Sequence, residues 1–373
     1  MRHLMRHLAV AITLAAGLTA QAHAQDKWVI GQSAPLTGGN AQFGTDIRNG
    51  AAAYFAMINA RGGVQGKPIE LVSLDDKNDR NQAGANAKTL LEDRQLLALF
   101  GFASATLSLD AIPQAEARGV AFFAPFSGAN PVRVNNPVVF TIRASYGEEM
   151  EKILNFWVSL GFKRVSVVHY EDEVGKQNLE VVASYLKKVN LAPQALPLKR
   201  NVPVGKAEVQ ALLAQQPELV LTTVLSGAAA QMQKELVAMG RMIPTSSLSF
   251  VGADQFITAA GPAAAGVSIS QVVPNPNSQI PVVRECAKAL EAAGIKTPMN
   301  STQLEACLGA KVLAEGIRRA RKPVSAKSVL EALSNLGAYD LGGYRITFSN
   351  GAQHGSKFVD LAMVTREGKL SSR

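Results

Sequence analysis

The chain has 373 residues, 47% of them hydrophobic, and a formal net charge of +9. It is long for one domain and comfortable for two, with apolar material for a full core. The basic residues are scattered and match no nucleic-acid motif, so nucleic acid is not an expected partner.

Met1–His7 carries Arg2 and Arg6, Leu8–Leu18 is apolar, and Ala22-His23-Ala24 is a small-x-small site. This three-part pattern reads as a secretory signal peptide, residues 1–24, cut after Ala24. An apolar run of 11 residues is short of the roughly 20 needed to span a bilayer. No Cys follows the cut, so no lipid anchor is expected there. The mature chain, at +7 without Arg2 and Arg6, is expected to work outside the cytoplasm.

From Lys27 onward apolar runs alternate with amphipathic helices. Strands are predicted at Lys27–Ser33, Ile69–Leu74, Leu96–Phe102 and Ala121–Pro125. Helices are predicted between them at Asp46–Ala60, Asn81–Asp93 and Leu107–Arg118, the last closed by Gly119. Such an order implies a parallel sheet covered on both faces. The pattern then restarts. Val138–Ile142, Arg164–His169, Leu219–Val224 and Ser247–Val251 read as strands. Tyr146–Leu160, Gly175–Val189, Lys206–Gln215 and Ala228–Met239 read as helices. Pro281–Ala293, Leu304–Ala320 and Ala326–Leu336 are three further helices, and Tyr344–Phe348 and Phe358–Val364 are closing strands. Arg318, Arg319, Arg321 and Lys322 end a helix, where they complement its dipole.

The expected fold is α/β, with two doubly wound, Rossmann-like lobes. The candidate crossings between them are Arg143-Ala144-Ser145, Gln271–Pro274 and Gly342-Gly343. Lobe 1 would hold residues 25–143 and 274–341, and lobe 2 residues 144–273 and 342–373.

Catalytic groups are scarce. Beyond the signal segment only His169 and His354 remain, and no HExxH, GxSxG or phosphate-loop motif stands in a useful context. Asp75-Asp76 reads as a charged pair capping a loop, since no third ligand is nearby. No enzymatic activity, cofactor or metal is expected. Cys286 and Cys307 lie on predicted neighbouring helices. They form a disulfide or remain two buried thiols, depending on their Cα separation.

Binding groups are better supplied. Open α/β sheets bind ligands at the carboxyl ends of their strands. Four segments rich in Gly, Ser and Thr stand at such ends: Ala34–Gly44, Gly101–Ser108, Pro125–Pro131 and Gly252–Phe256. Ser104 and Thr106 offer hydroxyls beside a helix start, to a ligand anion or as an N-cap. Ser127 can donate to an anion, Gly128 permits close backbone approach, and Phe126 either lines the pocket or fills the core. Asp254, after the predicted strand, could take a ligand ammonium from the opposite lobe or cap the segment that follows it.

The runs IGQSAPLTGGNAQFG, FAMINARGGVQGKPIELVSLDD, LLALFGFASATLSLD, GVAFFAPFSGANPVR, RVSVVHYEDEVG, SFVGADQF and LEACLGAKVLAEGI resemble, in order and spacing, the leucine/isoleucine/valine-type periplasmic binding proteins that serve ABC importers. The resemblance covers nearly the whole mature chain. It implies a type I periplasmic-binding fold with a three-crossing hinge that closes around a ligand, and a monomer working with ABC permease subunits. It implies ligand contacts at Phe43, at Ala103, Ser104, Ala105 and Thr106, at Phe126, Ser127 and Gly128, and at Asp254. The chain departs from the family pattern in several places. Ala105 stands where a carboxylate-binding Ser is frequent, and Val174 where Tyr precedes Gly. Leu225 stands near a further aromatic position, and the acid is Asp rather than Glu. The implied ligand is therefore an amino acid or a related small carboxylate or amide. The rival readings are a ligand sensor of the same fold and an exported α/β enzyme.

Overall fold

The computed structural model describes residues 26–133, 136–200, 202–349 and 351–372. The predicted signal segment, 1–24, lies outside the described residues.

The first half builds β1 (Trp28–Ala34), α1 (Ala41–Asn59), β2 (Ile69–Asp75), α2 (Arg80–Leu91) and β3 (Leu96–Phe100). It continues with α3 (Ala105–Ser108), α4 (Ala111–Arg118), β4 (Ala121–Phe123) and β5 (Val139–Phe140). The strands form one sheet in the order β2-β1-β3-β4-β5, with every pairing parallel. β3 is buried along its whole length, as expected of a strand covered by helices on both faces.

The second half builds α5 (Tyr146–Ser159), β6 (Val165–Tyr170), α6 (Glu173–Lys188), β7 (Gln194–Leu198) and α7 (Lys206–Ala214). Then come β8 (Leu219–Thr223), α8 (Ser226–Ala238), β9 (Thr245–Ser247), α9 (Ala253–Ala260) and β10 (Ser268–Gln271). The chain continues through α10 (Pro281–Ala292), α11 (Ser301–Arg319), α12 (Ala326–Ser334), β11 (Gly337–Asp340), β12 (Arg345–Phe348), β13 (Asp360–Val364) and β14 (Leu370–Ser372). The second sheet runs β14-β13-β10-β9-β8-β6-β7, with β13 and β14 antiparallel to their neighbours. The protein is thus two α/β lobes, each centred on a mainly parallel sheet.

The helices α10 and α11 return to the first lobe. Gly50 of α1 faces α11 so closely that a Cβ there would stand 2.2 Å from the Gln303 carbonyl oxygen. Only glycine permits that crossing, and it sets the start of α11 beside Asp46, one turn earlier on α1. Cys286 of α10 and Cys307 of α11 are joined in a disulfide, with Cα atoms 5.9 Å apart.

Several sequence expectations are corrected. The helix expected over Leu107–Arg118 is two helices, α3 and α4, broken at Leu109-Asp110. The strand expected over Ser247–Val251 ends at Ser247, and Ser249–Val251 is a 3-10 turn. Asp254 therefore sits in the first turn of α9 rather than directly after a strand. The predicted crossing at Gly342-Gly343 is the turn of the β11–β12 hairpin, with both N–H groups donating to Asp340 Oδ1. β12 stays with lobe 1, because Phe348 packs on Phe123 and Phe140. The chain passes to the second sheet only between Phe348 and Asp360.

Candidate functional site

Loops after β1, β3 and β4 meet loops after β8 and β9 around an enclosed chamber of about 50 Å³. On the lobe 1 side stand Phe43, Ala103, Ser104 and Phe126. On the other side stand Tyr146, Leu225, Phe250 and Gln255. The chamber opens onto a wider mouth of about 1160 Å³, walled by Asp46, Lys77, Asp254, Asn300 and Gln303 among others.

The first turn of α1 presents Phe43, whose ring meets Phe126 edge-on at 6.0 Å between centroids. Tyr146, at the start of α5, leans on Phe250 at 5.1 Å. Burial pushes the Tyr146 phenol up to about 12, so it stays neutral. None of the described residues lining the chamber carries a formal charge. Its polar side chains are the hydroxyls and amides of Ser104, Tyr146, Ser226, Asn40, Gln42, Asn78 and Gln255. The Ser104 hydroxyl accepts from the Leu107 N–H at 3.3 Å. That leaves the hydroxyl proton free to donate into the chamber.

Of the residues singled out from sequence, Phe43, Ala103, Ser104, Phe126 and Leu225 come together on the chamber wall. Asp254 lies farther out, on the mouth. It is exposed, yet the crowded cleft around it displaces bulk water and holds its pKa above the ordinary carboxylate range. Five residues do not line the chamber. Ala105 is buried in lobe 1 packing. Thr106 is half-buried on α3. The Ser127 hydroxyl is fully buried and is spent on the Ala129 N–H and the Tyr146 hydroxyl. Gly128 makes room for the crossing chain, since a Cβ there would stand 2.7 Å from the Tyr146 ring and backbone. Val174 packs at the start of α6.

Sequence reasoning missed Tyr146, Phe250 and Gln255, which come from segments read as helix start, strand and loop. It also missed Asp46. This carboxylate is 1% exposed and accepts four amide hydrogen bonds, from Gln42, Gln255, Asn300 and Gln303, each at 3.0 Å. Burial pushes its pKa up while the amides pull it back. Asp75 holds the chamber loop from outside, accepting from the Leu36 N–H at 2.8 Å and from the Thr37 hydroxyl at 2.5 Å. Burial opposes its charge, but the Thr37 hydroxyl and neighbouring backbone N–H groups bring its pKa down to about 2. Both histidines are held by the fold: His169 Nδ1 lies 2.8 Å from the Tyr170 carbonyl oxygen, and His354 bridges Thr141 and the Arg133 carbonyl. No group of three or more potential metal ligands occurs among the described residues.

The model of the periplasmic binding protein family matches residues 27–369. The chain belongs to that family. Within the periplasmic binding proteins its likeness is to the Leu/Ile/Val-binding type. A Leu/Ile/Val-binding protein homologue of Brucella abortus is 26% identical over 275 residues, 72% of each chain. An amino acid binding protein of Pseudomonas aeruginosa is 29% identical over 187 residues, and this match spans only about half of each chain, 49%. Among solved structures, a substrate-binding periplasmic protein of Ralstonia solanacearum superposes with a TM-score of 0.87 at 31% identity, covering 93% of this chain and 100% of that one. A fatty acid ABC transporter substrate-binding protein of Thermomonospora curvata shares the fold at 19% identity, with a TM-score of 0.83 over 93% of this chain and 91% of that one. No helix among the described residues is long and apolar enough to cross a membrane.

Proposed function

We propose that the protein is the extracytoplasmic solute-binding component of an ABC importer. It takes an amino acid or a related small carboxylate or amide into the cleft between the lobes, where the solute occupies the chamber and the adjoining part of the mouth. The observation that carries this reading is the convergence of strand-end loops from both sheets on one enclosed space. That is where open α/β sheets bind ligands.

In this reading Phe43, Phe126 and Leu225 pack against the apolar part of the solute. Ala103 presents backbone, and Ser104 donates its hydroxyl to a carboxylate or amide oxygen. Asp254, on the mouth side, receives an ammonium or amide N–H. The protein is exported by its first 24 residues, works in the periplasm as a monomer, and presents its closed form to the permease subunits. Closure follows because only the closed form makes both sets of contacts, so solute shifts the population toward it.

A thermal-shift screen over amino acids, amides, dicarboxylates and aromatic acids tests the reading. A true ligand raises the melting point by mass action. At a hundredfold excess over Kd the native state gains about 2.7 kcal/mol. A flat response across all four classes would remove the proposal.

A further inference from the structure

Gln255 belongs to both the chamber wall and the mouth wall, so it stands at the neck between them. From α9 of lobe 2 its Nε2 donates to Asp46 Oδ2 on α1 of lobe 1, at 3.0 Å. Both sides of this contact are built in advance. On lobe 1, Asp46 is buried and already fixed by three amides of its own lobe. Gln42 and Gln303 donate to Oδ1, and Asn300 donates to Oδ2. An ionised carboxylate has about four lone-pair sites, so three are used and the fourth points across the cleft. On lobe 2, Gly252 has φ of +66°, and a Cβ there would stand 2.2 Å from Gln255 Oε1. The bare glycine lets the amide oxygen tuck against the backbone while the NH₂ group turns toward Asp46.

We propose that Gln255 and Asp46 form a latch that biases the lobes toward closure before any solute arrives. Opening the cleft removes one donor from Asp46 and leaves the other three in place, so the lobe 1 acceptor stays ready for reclosure. The inference rests on the two-lobe binding reading for its purpose, but its physical content is a property of the solute-free chain.

The test therefore uses solute-free protein. Spin labels are placed at Arg61→Cys and Ala238→Cys. Both sites are exposed, one just past the end of α1 and the other ending α8, and the native cysteines are tied to each other. Double electron–electron resonance then reads the distance between the lobes. The unmutated latch is expected to give a dominant short-distance population. Gln255→Met, similar in size but without the donor, is expected to lower the closed-to-open ratio about tenfold, the scale of one hydrogen bond to a charged group. Asp46→Asn, which offers donors to donors, shifts it the same way. Circular dichroism and melting curves of each variant establish that it is folded. Should Gln255→Met be folded and its distances coincide with those of the parent, the latch is refuted. Failure of the solute-binding reading looks different: the distances would respond to Gln255→Met while no solute raised the melting point.

Discussion

The guanidinium of Arg143 stands 3.6 Å from the carboxylate of Glu305, at the seam where the chain first passes from one sheet to the other. Arg143 is 1% exposed, with Glu149 at 3.5 Å on its other side. It also bonds the Ser249 hydroxyl. Glu149 in turn accepts from the Ser249 N–H at 2.8 Å and the Ser270 hydroxyl at 2.5 Å. Burial opposes the Arg143 charge, but Glu305 and Glu149 hold its pKa above the ordinary value. One cation thus ties α11 of lobe 1 to α5 and the Ser249 turn of lobe 2, close under Tyr146 of the chamber.

Removing that cation leaves two buried carboxylates without their counter-ion. Arg143→Met is expected to cost about 3–5 kcal/mol of unfolding free energy, the usual penalty for breaking a buried charge pair from one side. Glu305→Gln is expected to cost clearly less, because Glu149 still neutralises Arg143. Urea titration of both variants checks the order, and equal losses would mean that Arg143 is not the centre of the cluster.

Asp76 sets a pH dependence. It is fully buried beside Ser33 and Asn78, and burial raises its pKa to about 6. A carboxyl with a raised folded pKa binds its proton more tightly in the folded state. Its contribution to stability is present below the unfolded value of about 3.9 and is lost as pH rises through about 6. Asp76→Asn, which carries no charge at any pH, is expected to flatten the stability profile between pH ~4 and ~6. It should gain on the order of 1–2 kcal/mol over the parent at neutral pH. Parallel profiles for the two proteins in denaturant titrations would contradict this.

The disulfide between Cys286 and Cys307 bridges a sequence separation of 21 and ties α10 to α11, the helix whose start holds Asp46. Closing a loop of that size limits the unfolded chain, and its loss is expected to cost about 3 kcal/mol. Melting in the presence and absence of reductant measures it, with the double variant Cys286→Ala, Cys307→Ala as the control that reductant no longer shifts.

Much of the architecture was legible because buried parallel strands announce themselves as apolar runs. β3 and β6 are buried throughout and stand close to where the sequence places them. β10 was hidden for the opposite reason. Its Ser268 and Ser270 are buried but satisfied by side chains from other elements, Ser246 and Glu149, so a core strand carries a polar sequence. β7 reads QALPL, with only alternate residues buried at the sheet edge, and gave no strong signal. The lobe 1 half of the chamber was legible through strand-end loops. The lobe 2 half was not. Phe250 and Gln255 reach the cleft through a 3-10 turn and a glycine with positive φ, a path that apolar periodicity does not report. Asp46 was overlooked because a single acid on a helix says nothing about the three amides that another helix and its own preceding turn bring to it.

The most direct measurement is calorimetric titration of a solute found by thermal shift against Leu225→Trp. Leu225 lines the chamber and is half-buried, so an indole there fills a space of about 50 Å³ without entering the core. Solute binding by the parent and its loss in Leu225→Trp, with the melting point of the solute-free variant retained, is the expected result. Undiminished binding by a folded Leu225→Trp would contradict the assignment of this chamber as the place where the protein holds its solute.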